Sequence, residues 1–149
     1  MENRKCMLKN GFVLLFMGML FLMSSAKATE KLCVLSIFDK YGHAKGVTML
    51  EASKDLLKQY KISQFKSIIF EDGTKALPEI RSCIEKDKAN ALKIKEIVQD
   101  GVVTSGYYRL KTEKPETNRY LIFKVKEKKV TLIYVEGNLT TEELVDLLK

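Results

Sequence analysis

The stretch "NRYLIFKVKEKKVTLIYVEGN", residues 118 to 138, constrains the fold more than any other. Leu121, Phe123 and Val125 alternate with Ile122, Lys124 and Lys126, a charged turn follows at Glu127 to Lys129, and a second apolar run continues through Val135. Period-2 alternation on both sides of a short polar turn fits two antiparallel strands, because a strand sends successive side chains to opposite faces. An isolated pair of strands is marginal in water, so the rest of the chain must supply more strands and covering helices.

The preceding stretch, "ALKIKEIVQDGVVTSGYYRLK", admits two readings. Ile94, Ile97 and Val98 fit a continued helix, whereas Leu92, Ile94 and Val98 fit the strand period. Asp100-Gly101 between two apolar runs is a strong hairpin signal, so a hairpin is expected and the strands form a meander. "FKSIIFEDG" predicts another strand, ended by Asp72-Gly73, and "GVTMLEAS" a further one in which Val47 and Met49 alternate with Thr48 and Leu50.

Helical spacing occurs at Val34, Ile37, Phe38 and Tyr41, with Gly42 behind them as a stop. Ser53 is placed to cap a two-turn helix that buries Leu56, Leu57 and Tyr60. Pro78 suits the first turn of a helix from about 77 to 89 carrying Ile80, Cys83, Ile84 and Asp87 on one stripe. At the C-terminus, Thr140 and Glu143 form a capping box, with Leu139 and Leu144 as the hydrophobic staple. Capping explains Asn138-Leu139-Thr140 better than glycosylation does. The expected architecture is a single α+β domain, an antiparallel sheet of about five or six strands with helices packed on one face.

The first residues serve another purpose. Arg4, Lys5 and Lys9 face one acid, Glu2, and Gly11 to Met23 carry no charge, the layout of a secretory signal. A helix over that run spans about 20 Å against about 30 Å of hydrocarbon, too short for a comfortable membrane anchor. Ala26-Lys27-Ala28 predicts cleavage after Ala28, with a cut after Ala26 as the alternative. Lipidation at Cys33 is disfavoured, because Glu30 and Lys31 stand where small residues would be needed. The expectation is a signal peptide over 1–28, a domain over 29–149, no transmembrane anchor after cleavage, and a periplasmic or secreted product.

Processing changes the charge. The whole chain carries +7, with 26 basic and 19 acidic residues. Losing Arg4, Lys5, Lys9, Lys27 and Glu2 leaves 22 against 18, hence about +4. Spread among Lys-Glu neighbours, that charge is a solubility feature, and no nucleic-acid partner is expected. The mature chain keeps Cys33 and Cys83. In an oxidising compartment they could pair, closing a loop of about 50 residues worth roughly 4 kcal/mol. The alternative, preferred on their apolar flanks, is two buried thiols acting as small hydrophobes.

With these elements in order, the chain resembles a family of small, signal-bearing Gram-negative bacterial proteins classed as a domain of unknown function. The resemblance rests on "F-x-K-Y" at Phe38 to Tyr41, "G-V-T" at Gly46 to Thr48, "K-x-L-L" at Lys54 to Leu57, and the ending "G-x-(I/L)-(D/T)-x-E-x-L" at Gly137 to Leu144. It implies export and an α+β layout, and it brings no catalytic residue.

No constellation points to catalysis. His43 is the only histidine, and a hydrolytic triad with Ser36 or Ser53 and Asp39 would be a free choice among many side chains. One His and two separated Cys lack metal-site spacing, and no Gly-rich phosphate loop occurs, so neither metal nor cofactor is expected. One surface stands out. Tyr120, Ile122, Lys124 and Lys126 share a face by period 2, as do Tyr107, Arg109 and Lys111. If those faces coincide, Tyr107, Arg109, Tyr120 and Lys124 form a tyrosine and cation patch of a kind that suits a protein partner, a glycan or anionic headgroups, and an envelope or periplasmic protein is the partner expected. The leading expectation is therefore an exported, non-enzymatic interaction module. The alternative is a small-molecule or lipid carrier with a pocket between sheet and helices.

Overall fold

Each strand and helix expected from the pattern forms, in the order α1 (Cys33–Tyr41), β1 (Val47–Glu51), α2 (Lys54–Gln59), β2 (Ile62–Phe70), α3 (Leu77–Lys88), β3 (Ala91–Gln99), β4 (Val102–Leu110), β5 (Asn118–Lys126), β6 (Lys129–Gly137) and α4 (Thr141–Leu147). The computed structural model describes residues 31–149, and Leu32–Lys149 is one compact unit. The expected signal peptide over 1–28, with its expected cut after Ala28, lies outside the described residues. Among those residues, no helix is long and apolar enough to cross a membrane.

The ambiguous stretch 91–98 is strand, and the Asp100-Gly101 turn decides it. Both residues have positive φ, 51° and 76°, which a two-residue turn matched to the twist of a hairpin requires. The four strands β3 to β6 follow one another as a meander, and β2 and β1 add beyond β6. One antiparallel sheet results, ordered β1-β2-β6-β5-β4-β3. Its edges are the short β1 and the nine-residue β3.

Cover lies on both faces. On the first, α1 and α3 pack Val34, Ile37, Phe38, Ile80 and Ile84 over Ile68, Phe70, Leu121, Phe123 and Leu132. On the second, Leu57 of α2 and Leu144 of α4 pack over Ile62, Tyr120 and Val135. The α+β class and the antiparallel sheet agree with expectation, whereas the helices were expected on one face. The reason lies in β6, third in the sheet, which presents Val130, Leu132 and Tyr134 to one side and Ile133 and Val135 to the other. A central strand that is apolar on both sides needs cover on both.

Two local expectations change. Leu56 and Tyr60 are exposed, because six-residue α2 lays only Leu57 against the sheet. Cys33 and Cys83 are joined as a disulfide, rather than two separate thiols. The pairing follows from a clamp between α1 and α3, which run antiparallel. Leu32 gives α1 no side-chain cap; instead the buried Asp87 carboxylate of α3 accepts from the Cys33 and Val34 amides at 2.9 and 2.8 Å. One turn earlier on α3 is Cys83, and one further turn back Glu79 accepts from Lys40 and from the Tyr41 hydroxyl at 2.6 Å. Residues 79, 83 and 87 form one helical stripe, so all three links act along the same seam.

Candidate functional site

Three long rows of side chains cross the strands on the second face of the sheet, beyond the short row of Asn118, Gly137 and Ile62. The row nearest α4 is Lys93, Arg109, Tyr120, Val135 and Phe65; the next is Lys95, Tyr107, Ile122, Ile133, Ser67 and Leu50. The outermost is Ile97, Ser105, Lys124, Thr131, Ile69 and Thr48. Tyr107, Arg109, Tyr120 and Lys124 thus do share one face, as their spacing suggested.

Their exposure differs, because α4 covers the first row only. Tyr120 is 1% exposed, its ring under Leu139 and Leu144 and its hydroxyl donating to the Leu139 carbonyl at 2.8 Å. It is a core residue and offers no surface to a partner. Asn118 donates to the same carbonyl, and Arg109 donates to Asn118 Oδ1 at 2.8 Å, so these two side chains brace the entry to α4. Tyr107 is half-buried at the margin, its hydroxyl 3.1 Å from that of Thr141. Lys124 is exposed beyond it. The capping box of Thr140 and Glu143 ends the loop and fixes α4 at this place.

Beyond the margin the sheet face is open. It carries Ile97, Ile122 and Ile133 with Ser105 and Thr131 between them, Lys95 on the β3 edge and Lys124 on β5 between Ser105 and Thr131. No acid occurs among the second-face positions of β3, β4 and β5, so this half of the face is apolar and cationic. Lys93, Lys95 and Ile97 were not singled out from sequence. While 91–98 could be helix or strand, its lysines could not be assigned to any face.

A cleft of about 280 Å³ lies on the first face, between α3 and the β3–β4 hairpin, lined in part by Arg81, Glu96, Val102 and Phe123. Arg81 reaches across its mouth, donating to the Val103 carbonyl at 2.7 Å while its guanidinium lies over Phe123. Glu96 accepts from the Tyr108 hydroxyl at 2.8 Å and from Lys88 at 3.1 Å. Burial pushes the Glu96 carboxyl up, but those donors outweigh it and leave it below the usual carboxylate range. Gly106 makes the arrangement possible: a Cβ there would overlap the Tyr108 ring that crosses it to reach Glu96.

The remaining candidates do not converge. His43 is exposed in the α1–β1 loop, Ser36 donates to the Cys33 carbonyl, and Ser53 caps α2, so neither hydroxyl is placed with the histidine. Among the described residues, no three His, Cys, Asp or Glu side chains gather to hold a metal.

The sequence matches a family of unknown function, DUF6108, over residues 21–148, nearly the whole chain. The chain belongs to the DUF6108 family. No functionally curated protein matches this DUF6108 chain. A solved structure, of the Pseudomonas aeruginosa protein of unknown function PA94, is similar at 12% identity over 67% of this chain and 72% of that one, with a TM-score of 0.32. At that score the likeness carries no argument.

Proposed function

We propose that this DUF6108 protein is an exported, non-enzymatic interaction module of the periplasm or cell envelope, and that the open half of its second sheet face, with the adjoining β3 edge, receives a protein partner. One observation carries the reading. Along the β3 edge and its hairpin, Ile97 on the second face and Leu92, Ile94, Val98 and Val102 beside it are all between 46% and 62% exposed, so the apolar surface is concentrated on the edge strand itself, where monomeric proteins usually avoid it. Export is supported by the charged, then apolar, then small-residue order of the first 28 residues and by a disulfide of the kind that persists in oxidising compartments.

The test is photo-cross-linking in cells from residues substituted one at a time at Ile97 and Lys124, with Lys45 as a remote control. A discrete adduct with one envelope protein from 97 and 124, and none from 45, is the expected result. No adduct from either position, with the processed protein abundant, would refute the module.

The cleft beneath Arg81 favours a second reading, a carrier of a small ligand. Its volume falls just short of the usual range for ligand pockets, about 300 to 1,000 Å³, which makes it the weaker one. A co-purifying ligand in a native mass spectrum, lost in Arg81→Ala, would favour it.

A further inference from the structure

Edge strands in monomeric proteins are usually short, bulged, lysine-bearing, interrupted by proline or covered, because their outward N–H and C=O groups template pairing with another strand. The two edges of this sheet are guarded by different means. β1 has five residues, and its Glu51 is tied to Lys66. β3 has nine residues and no proline; its pairing with β4 is regular from Lys93 to Ile97, between irregularities at Ala91/Lys93 and Ile97/Val98, and its one acid, Glu96, is turned to the first face and held by Lys88 and Tyr108. What β3 shows to a neighbour is therefore Lys93, Lys95 and Ile97 on the second face and Ile94 and Val98 on the first.

Neither lysine is paired with a carboxylate among the described residues, and across β4 they sit opposite Arg109 and Tyr107, which add no negative charge. We propose that β3 is a strand-addition site, and that its occupant is an extended segment of a partner protein alternating acidic and apolar residues. Acids on the occupant's second face would meet Lys93 and Lys95, and its apolar residues would continue the row of Ile94 and Val98. Main-chain pairing would supply affinity and the alternation would supply specificity. This rests on the interaction-module reading and names the partner's chemistry.

In the registers centred on Ile94, Lys95 and Glu96, which pair the most of β3, the same charges argue against a second copy of this chain as the occupant; the register centred on Ile97 opposes no like charges and is left to the dimerisation outcome of the test. A two-fold antiparallel pairing centred on Ile94 sets Lys93 opposite Lys95 of the other copy. Centring it on Lys95 or on Glu96 sets that residue opposite itself. Like charges directly opposite are destabilising, so each of these registers is disfavoured.

The experiment uses the protein in the form its own cells produce, isotope-labelled, with a synthetic peptide of about ten alternating Glu and Val residues and a Lys-Val peptide of equal length. The expected result is that the Glu-Val peptide binds at least ten-fold more tightly, weakens several-fold as salt is raised, and slows amide exchange along Ala91–Gln99. In Lys93→Glu/Lys95→Glu, whose changes are on exposed side chains, the preference should reverse toward the Lys-Val peptide. Equal binding of both peptides, protection at the α3 cleft instead of β3, or dimerisation of the protein alone through β3 would each overturn the proposal. If cross-linking from positions 97 and 124 succeeds while neither peptide protects β3, strand addition fails and the interaction module stands.

Discussion

Two buried carboxylates hold donors that they alone are shown to satisfy, Asp87 the first amides of α1 and Glu136 two side chains. Asp87 occupies the cap position that Leu32 cannot fill, so removing it strands the Cys33 and Val34 amides. We expect Asp87→Ala to lower stability by about 2 kcal/mol, read as a fall in the urea midpoint at constant slope, with Asp87→Asn in between. Glu136 is 5% exposed and accepts from Lys114 and from Tyr134, whose hydroxyl is 2.6 Å away. Burial alone would raise the Glu136 carboxyl; the two donors, with Arg119 nearby, bring it below its ordinary range. A carboxyl depressed in the folded state adds stability that is complete above its unfolded pKa and is lost as pH falls through the folded one. Glu136→Gln should therefore flatten the loss of thermal stability from about pH 5 to pH 3, where carboxylates titrate. An unchanged acid profile would remove Glu136 from that role. The Tyr134 hydroxyl, raised by burial and by its bond to Glu136, stays protonated throughout.

Turns and caps account for how far the elements were legible in the sequence. Asp100-Gly101, Ser53 and the Thr140–Glu143 box each have one dominant local geometry, and each element they bound forms where expected. Gly101 has φ near 76°, where a Cβ is strained, so Gly101→Ala should cost about 1 to 2 kcal/mol and broaden the β3–β4 amide resonances first. Long-range choices were not legible. The disulfide and the Asp87 cap depend on α1 and α3 meeting antiparallel, and helical spacing gives each a buried stripe without saying which stripe meets which. The place of α4 was likewise hidden, since a capping box fixes where a helix starts and not which sheet face receives it. That is why the tyrosine and cation patch was correctly assigned to one face, yet Tyr120 within it proved to be core. The contrast can be measured: Tyr120→Ser should cost about 3 to 5 kcal/mol, as emptying an aromatic site does, whereas Lys124→Ser should stay within about 0.5 kcal/mol. In cross-linking, Lys124→Ser should still weaken the adduct made from position 97.

On the scale of the whole molecule, the sheet has unequal cover, and the disulfide belongs to the better covered side. The Cys33–Cys83 link encloses β1, α2 and β2 between α1 and α3, so it ties the first half of the fold together before the meander begins. With a sequence separation of 50, chain entropy in the unfolded state makes that link worth about 4 kcal/mol. Domains of this size have total stabilities of about 5 to 15 kcal/mol, so the link is a large part of the whole. The other face gains little in compensation, because α2 and α4 are six and seven residues long and leave two rows of the sheet partly open. The more open face thus has its stability supplied from the opposite side. We expect the reduced protein, and the Cys33→Ser/Cys83→Ser variant alike, to unfold at a much lower urea concentration, with α1 amides losing exchange protection before the strands of the meander. Equal midpoints for oxidised and reduced protein would mean that the Asp87 cap and the apolar seam hold α1 without the covalent link. The order of loss separates the two faces: if α4 frays first under reduction, the helices are coupled through the sheet and the division of labour between faces fails.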